Sequence, residues 1–233
     1  MRRLVVVLEV LACVAAASAP GARDRRVVLI GRSSEGRPIE AIEVGDSTAR
    51  LKLLVVGCIH GNEQAGIAIA RRLEQIAPPP GIDLWIVPVL NPDGVAADTR
   101  QNADGVDLNR NFPWRWRDLE GIYDSGSRPL SEPEARVAAR LILHVRPTIS
   151  IWYHQHLDLV DESGGSLAIE RRYARLVGLP LQRLVREPGS VVNWENHVLP
   201  RATAFVVELP AGRLSRAATE RHARAVLAFA GRG

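Results

Sequence analysis

The sequence predicts an α/β protein, and three observations support this class. Apolar runs typical of β-strands alternate along the chain with segments whose apolar residues repeat at helical spacing. The length of 233 residues and the hydrophobic content of 46% suit one sizeable globular domain. A His-x-x-Glu motif also lies where an apolar run gives way to a helical pattern, the position at which open α/β sheets place their ligand sites.

Residues 1–19 have the pattern of a secretory signal peptide. Two arginines precede a mostly apolar stretch, which finishes with Ala17-Ser18-Ala19. Glu9 and Pro20 are atypical of such a leader, and a weak lipoprotein acylation signal ending at Cys13 is the alternative. We expect residues 1–19 to be a signal peptide, residues 25–233 to form a single domain, and the protein to be secreted or held in the cell envelope.

Charge and cysteine content exclude several classes of protein. The formal net charge is a modest +4, and the arginine pairs lack interleaved aromatic residues, so no nucleic-acid partner is predicted. No segment after the leader has the roughly twenty unbroken apolar residues that a membrane span needs. Removal of the leader would leave Cys58 alone, so we expect no internal disulfide and interpret Cys58 as a small, buried core residue.

The elements follow in order from these patterns. Arg26–Ile30 and Ile39–Val44 read as strands of a hairpin-like entry, and Lys52–Gly57 is an apolar strand followed by a helix over Glu63–Ala77. Leu84–Leu90 reads as the next strand. The remaining predictions are a turn over 91–94, a long ordered functional loop over 95–128, a helix to about Val145 opened by a capping box of Ser131 and Glu134, strands over 148–153 and 204–209, and a helix over 215–230.

Two metal ligands are suggested by the motif at the first strand-to-helix junction. His60 and Glu63 are three residues apart, about one helical turn, and can converge on one ion. A catalytic zinc usually takes three protein ligands and leaves one position open. The third ligand should follow a later strand, where His154 and His156 compete because strand alternation places both on one face.

Other polar residues stand out by their context. Glu208 is the only charge in an apolar run, and a buried charge is costly unless it is paired or functional. Arg100 can grip an anion through its rigid, forked guanidinium. Asp107 could orient a ligand histidine through the second ring nitrogen.

Several of these motifs, taken together and in order, resemble the zinc carboxypeptidases of the carboxypeptidase A type, most of all their compact bacterial branch of murein peptide amidases. The resemblance covers essentially the chain from Arg25 onward. It is carried by the segments 60–63, 91–94, 105–112, 131–134 and 205–209, together with Arg100.

This resemblance implies a fold and a set of roles. The fold would be a mixed, mainly parallel sheet of about eight strands with helices on both faces. One zinc ion would be held by His60, Glu63 and His154. The family pattern places its third ligand at the end of the strand, and this favours His154 over His156. Glu208 would be the general base and Arg100 would stabilise the oxyanion. Asn109 and Arg110 would bind the carboxylate of a peptide substrate, and the reaction would be hydrolysis of an amide next to a free carboxylate.

One departure from the family pattern bears on the substrate. Many digestive relatives carry an active-site tyrosine shortly before the catalytic glutamate, and this chain has no tyrosine between Val185 and Phe205. This absence argues against ordinary protein C termini as the substrate. The bacterial-style leader and the compact size favour cell-wall peptides containing diaminopimelate instead.

Two alternatives remain at this stage. Aspartoacylases and succinylglutamate desuccinylases share the His-Gly-Asn-Glu and Asp-Leu-Asn-Arg motifs, but they typically add a β-rich carboxy-terminal domain, and 25 residues follow Glu208 here. A zinc-bearing binding module that has lost catalysis is the other, although Glu208 and three candidate ligands are all present.

Overall fold

One eight-stranded sheet organises the protein. The computed structural model describes residues 25–230, so the predicted signal peptide lies outside the described residues. The strand order across the sheet is β1-β2-β4-β3-β5-β8-β6-β7. The strands are β1 Arg25–Arg32, β2 Pro38–Gly45, β3 Leu51–Val56, β4 Ile82–Val87, β5 Ile149–Gln155, β6 Leu159–Asp161, β7 Leu181–Gln182 and β8 Thr203–Leu209.

Residues 25–230 contain six α-helices, and five of them cover the two faces of this sheet. They are α1 Ala65–Leu73, α2 Pro92–Ala97, α3 Pro133–Val145, α4 Leu167–Val177, α5 Val191–Val198 and α6 Arg216–Leu227. Helices α1, α4 and α6 pack in one hydrophobic cluster, whereas α3 and α5 pack in a second cluster on the opposite face. None of the helices in the described part of the chain is both long and apolar enough to cross a membrane.

Strand β3 shows why the sheet is covered on both sides. Leu53 and Val55 belong to the cluster with α1, and the alternate residues Leu54 and Val56 belong to the cluster with α3. Successive side chains of a strand point to opposite faces, so a run that is apolar throughout has to be buried on both. The predicted mixed, mainly parallel sheet of about eight strands with helices on both faces is confirmed.

The four central strands position the site. Strands β4, β3, β5 and β8 are mutually parallel, and the outer pairs β1–β2, β2–β4 and β6–β8 are antiparallel. The carboxyl ends of the parallel strands therefore meet at one edge of the sheet. The residues that follow them, including His60 after β3, end up close together although they are far apart in sequence.

Two local predictions were wrong. The segment Asn91–Gly94 is not an isolated turn, because Asn91 caps α2 by accepting a hydrogen bond from the Gly94 amide at 2.8 Å. Ser131 and Glu134 form no capping box: α3 has Glu132 at its N-cap position, and the Ser131 hydroxyl donates to the Glu132 carboxylate instead. Glu134 is buried and accepts from the Ser34 amide at 3.0 Å, so tertiary contacts override the local cap.

The close approach of Gly61 to the backbone of α2 leads to a testable prediction. A Cβ at Gly61 would collide with the backbone of Gly94 and Val95. We expect Gly61→Ala to lower the free energy of unfolding by about 1–3 kcal/mol, the usual cost of overpacking. The neighbouring exposed Asn62→Ala is the control, with an expected change within about 0.5 kcal/mol. Equal urea midpoints for the two variants would contradict the close packing.

Candidate metal centre and active site

Three buried side chains converge at the carboxyl edge of β3 and β5. The Nδ1 atom of His60 lies 3.0 Å from Glu63 Oε1 and 3.2 Å from His154 Nδ1. His154 Nδ1 lies 3.0 Å from Glu63 Oε2. The Gln155 backbone amide donates to the same Glu63 oxygen at 3.1 Å. The two residues that the motif suggests, His60 and Glu63, and the histidine that the family resemblance favours, His154, thus offer their ligand atoms to one small volume.

The chemistry of these donors fits a zinc ion. Zinc bonds of about 2.0–2.2 Å in a tetrahedral arrangement place neighbouring ligand atoms about 3.3–3.6 Å apart, a few tenths of an ångström longer than the 3.0–3.2 Å observed. Two facing imidazole nitrogens can share at most one proton, so a cation between them satisfies both lone pairs. Burial alone would raise the pKa of Glu63, but His60 and His154 outweigh it and hold that pKa well below its usual value.

Asp107 and Arg100 brace this cluster from one side. The Nε2 atom of His60 lies 2.9 Å from Asp107 Oδ1. Arg100 donates through Nε to Asp107 Oδ2 at 2.9 Å and through Nη1 to Glu63 Oε1 at 3.0 Å. Burial opposes ionisation of Asp107, yet His60 and Arg100 keep its pKa below the usual value. His60 is therefore held in the orientation that leaves Nδ1 as the ligand atom.

His154 has a different environment from His60. Its Nε2 atom is buried and has no hydrogen-bond partner among residues 25–230. The competing His156 is exposed and lines the rim of the cleft. Strand β5 ends at Gln155, so the alternation that makes the two histidines equivalent in sequence does not extend to His156.

Glu208 faces the same cleft from β8. It is paired in register with His154 on the adjacent parallel strand. Its Oε2 atom is buried and lacks a hydrogen-bond partner within the described range. Burial raises the pKa of Glu208, and the nearby Glu63 carboxylate raises it further. A carboxylate with a raised pKa and an unused oxygen is suited to accepting and returning a proton.

Asn109 and Arg110 line the other side of this cleft, which has a volume of about 400 Å³. The Asn109 side-chain oxygen accepts from the Val191 amide at 3.0 Å, which leaves its amide nitrogen as a donor for a ligand. Arg110 is buried, donates through Nη1 to the Asn109 carbonyl at 3.0 Å, and has an Nε atom without a partner in the part of the chain that the structure describes. The pair can bind a carboxylate through parallel hydrogen bonds.

Sequence reasoning missed one aromatic residue of the site. Tyr123 lies in the long loop between α2 and α3 and lines the cleft, whereas Tyr153 and Tyr173 are buried and hydrogen-bonded to each other at 2.7 Å. The guanidinium carbons of both Arg100 and Arg110 lie 5.4 Å from the centre of the Tyr123 ring. A single tyrosine in an aperiodic loop carries no local signal, because only the folded loop brings the ring against the two arginines.

Two more missed residues, Asp161 and Arg186, form an ion pair on the cleft wall, with Arg186 Nη1 at 3.1 Å from Asp161 Oδ2.

Cys58 is a buried core residue, as predicted. Burial raises the pKa of its thiol to about 12, and Sγ donates to the His60 carbonyl at 3.0 Å.

The remaining histidines lie away from the cleft. His144 and His197 are exposed, and His222 is buried with Nδ1 at 2.9 Å from the Tyr173 hydroxyl.

Comparison with known proteins agrees with this fold and site. The family model described as zinc carboxypeptidase matches residues 20–76 and 80–160. The chain belongs to the zinc carboxypeptidase family, and it is a hydrolase.

Several of the individual proteins that this chain resembles are murein peptide amidases. The chain is 29% identical to murein peptide amidase A of Escherichia coli (strain K12) over 180 residues, covering 70% of this chain and 74% of the relative. It is 30% identical to murein peptide amidase A of Vibrio campbellii over 196 residues, covering 77% of each chain. The crystal structure of murein-tripeptide amidase from Escherichia coli O157 superposes with a TM-score of 0.74 at 28% identity, covering 87% of this chain and 90% of that one.

The brace on His60 leads to a prediction about metal affinity. Asp107→Asn removes the charge that fixes the His60 ring, and we expect zinc to bind about 10- to 100-fold more weakly. Competition against a chromophoric chelator would measure this change. Asp118→Asn, in the same loop but exposed, should leave the affinity as in the wild type. Equal affinities for all three proteins would show that Asp107 does not support a metal ligand.

The position of Tyr123 leads to a prediction that separates its ring from its hydroxyl group. If the ring holds the two arginines, Tyr123→Phe should keep kcat/KM within about twofold, while Tyr123→Leu should lower it about fivefold or more, because cation–π contacts contribute about 0.5–1 kcal/mol each at exposed sites. Steady-state kinetics on one peptide substrate would decide. A large loss in the Phe variant would instead assign the effect to the hydroxyl.

Proposed function

We propose that the protein is a zinc-dependent amidase that cleaves an amide bond next to a free carboxylate in cell-wall (murein) peptides, with one zinc ion bound. The observation that carries the proposal is the juxtaposition, in one cleft, of the His60–Glu63–His154 cluster, the Glu208 carboxylate and the Arg110 guanidinium. The similarity to the murein peptide amidases supports the choice of substrate.

Binding begins with the carboxylate of the substrate. Arg110 presents a buried guanidinium with an unpartnered Nε, and Asn109 contributes its amide nitrogen. A side chain buried to this degree loses hydration that a bound carboxylate can replace. A substrate anchored there is read at its chain end, which explains preference for an amide next to a free carboxylate.

The proposed chemistry uses Glu208 and Arg100. His60, Glu63 and His154 would hold the zinc ion, and the ion would supply Lewis acidity that makes water a stronger acid and a carbonyl carbon more electrophilic. Glu208 takes the proton of the attacking water and returns it to the leaving amine. Arg100 has five N–H donors and uses two of them on Asp107 and Glu63, so others can stabilise the oxyanion.

The site of action is part of the proposal. A murein substrate lies outside the cytoplasmic membrane in a finished wall, and the predicted signal peptide over residues 1–19 suits delivery there. We therefore propose secretion or retention in the cell envelope. Cell fractionation followed by amino-terminal sequencing of the protein from its host would test this. We expect the leader to be absent from protein in the envelope or medium; protein found in the cytoplasmic fraction with Met1 intact would contradict the proposal.

Deacylation of N-acyl amino acids is the second candidate function, because aspartoacylases and succinylglutamate desuccinylases share the His-Gly-Asn-Glu motif with the zinc carboxypeptidases. The match to the zinc carboxypeptidase model and the amidase relatives favours the peptidase. Incubation with a panel of N-acyl amino acids and muropeptides separates the two. Turnover of the acyl amino acids alone would support the deacylase and refute the proposal.

Replacement of the proposed base gives a direct test of mechanism. Glu208→Gln keeps the shape of the side chain and removes proton transfer, so we expect kcat to fall by about 10²–10⁴-fold. Zinc content, measured by plasma emission on the same sample, should remain that of the wild type. Because burial raises the pKa of Glu208, the acid limb of the wild-type kcat/KM profile should lie above the usual glutamate range. Unchanged turnover in the variant would remove Glu208 from the mechanism.

A further inference from the structure

The wall of the cleft contains an ion pair that the proposed chemistry does not use. Asp161, at the end of β6, and Arg186, in the loop before α5, both line the cleft. Arg186 Nη1 donates to Asp161 Oδ2 at 3.1 Å, and the two side chains are 22% and 7% exposed. Asp161 also accepts from the Ser163 hydroxyl at 2.6 Å and from the Leu184 amide at 2.8 Å. The pair is therefore fixed in place before any ligand binds.

Both members of the pair retain capacity for further hydrogen bonds. An ionised carboxylate has about four acceptor positions, and three of those on Asp161 are used by Ser163, Leu184 and Arg186. Arg186 has five N–H donors and uses two, on Asp161 and on the Glu162 carbonyl. A ligand in the cleft can thus meet one acceptor of negative charge and several donors of positive charge.

The location of the pair relates it to the substrate rather than to the bond that is cleaved. Strand β6 runs antiparallel to β8 with Leu159 opposite Glu208, so Asp161 lies two residues, or about 7 Å, along the strand from the proposed base. The residue after Arg186 is Glu187, whose Oε2 lies 3.9 Å from Arg110 Nη2. The pair is therefore close to the carboxylate-binding arginine and separated from Glu208 by roughly the reach of one long side chain.

We propose that Asp161 and Arg186 form a subsite for a substrate side chain that ends in both an amino group and a carboxylate. This inference rests on the proposed function and specifies the residue on the carboxyl side of the cleaved bond. A fixed pair of opposite charges is complementary to a zwitterion, because the amino group can use the spare acceptor of Asp161 and the carboxylate the spare donors of Arg186. A singly charged side chain would use the spare hydrogen bonds of only one member, and an apolar side chain would use neither. Diaminopimelate is an amino acid of this class.

Four substrates of equal backbone test the subsite. Each has γ-D-glutamate linked to one residue with a free α-carboxylate: meso-diaminopimelate (both side-chain groups), L-lysine (amino group only), L-2-aminopimelate (carboxylate only) or L-norleucine (neither). We expect the zinc-loaded mature protein to prefer the diaminopimelate substrate over norleucine by about 100-fold in kcat/KM, and over the singly charged substrates by about tenfold.

Two variants then assign the two charges. Asp161→Asn should abolish the advantage that the amino group confers, and Arg186→Gln should abolish the advantage of the carboxylate. The controls are Glu162→Gln and Arg183→Gln, which make the same charge changes one and three residues away and do not line the cleft; both should keep the wild-type ratios. Ratios between substrates measured on one preparation are independent of the folded fraction, so partial unfolding of a variant does not obscure the result.

The outcomes separate the inference from the proposed function. Loss of selectivity confined to the matching charge supports the subsite. If wild type cleaves all four substrates equally, or if the variants lower all four rates by the same factor, the pair only holds the loop and the inference is overturned while the amidase function stands. If wild type cleaves none of the four but cleaves N-acyl amino acids or plain peptides, the proposed function itself fails.

Discussion

Three ligand atoms in contact inside the protein are the constraint on which the rest of the site depends. His60 Nδ1, His154 Nδ1 and the Glu63 carboxylate lie 3.0–3.2 Å apart. Two imidazole nitrogens at this distance repel unless a proton or a metal lies between them. The folded chain supplies the cost of this arrangement through packing elsewhere, as functional sites commonly require, and a dication relieves it.

The arrangement of strands explains why these atoms meet. His60 follows β3 and His154 belongs to β5, and the two strands are adjacent and parallel. Glu208 belongs to β8, the next neighbour, where it is paired with His154. One edge of four parallel strands therefore carries the candidate ligands and the candidate base. The loop between α2 and α3 lies at that edge and contributes Arg100, Asp107, Arg110 and Tyr123. The same loop contributes both the brace behind His60 and the carboxylate-binding group.

Much of this could be predicted from sequence, and the exceptions have physical reasons. The apolar run of β3 and its following motif specify a buried strand and two candidate ligands, because both signals are local. The sequence pattern predicts a capping box at Ser131, but Glu132 and Glu134 make contacts with other residues that replace it. Tyr123, Asp161 and Arg186 were not identified, because each acquires its meaning from partners distant in sequence. The choice between His154 and His156 depends on where β5 ends, and periodicity alone does not define that position.

The measurement that tests the central claim most directly is X-ray absorption spectroscopy at the zinc edge of the purified, zinc-loaded protein. The account predicts one tightly bound zinc per chain with two imidazole ligands and one carboxylate at about 2.0–2.2 Å, together with one further light-atom ligand, and loss of one imidazole in His154→Ala. A sulfur ligand, or a wild-type spectrum unchanged by His154→Ala, would contradict it.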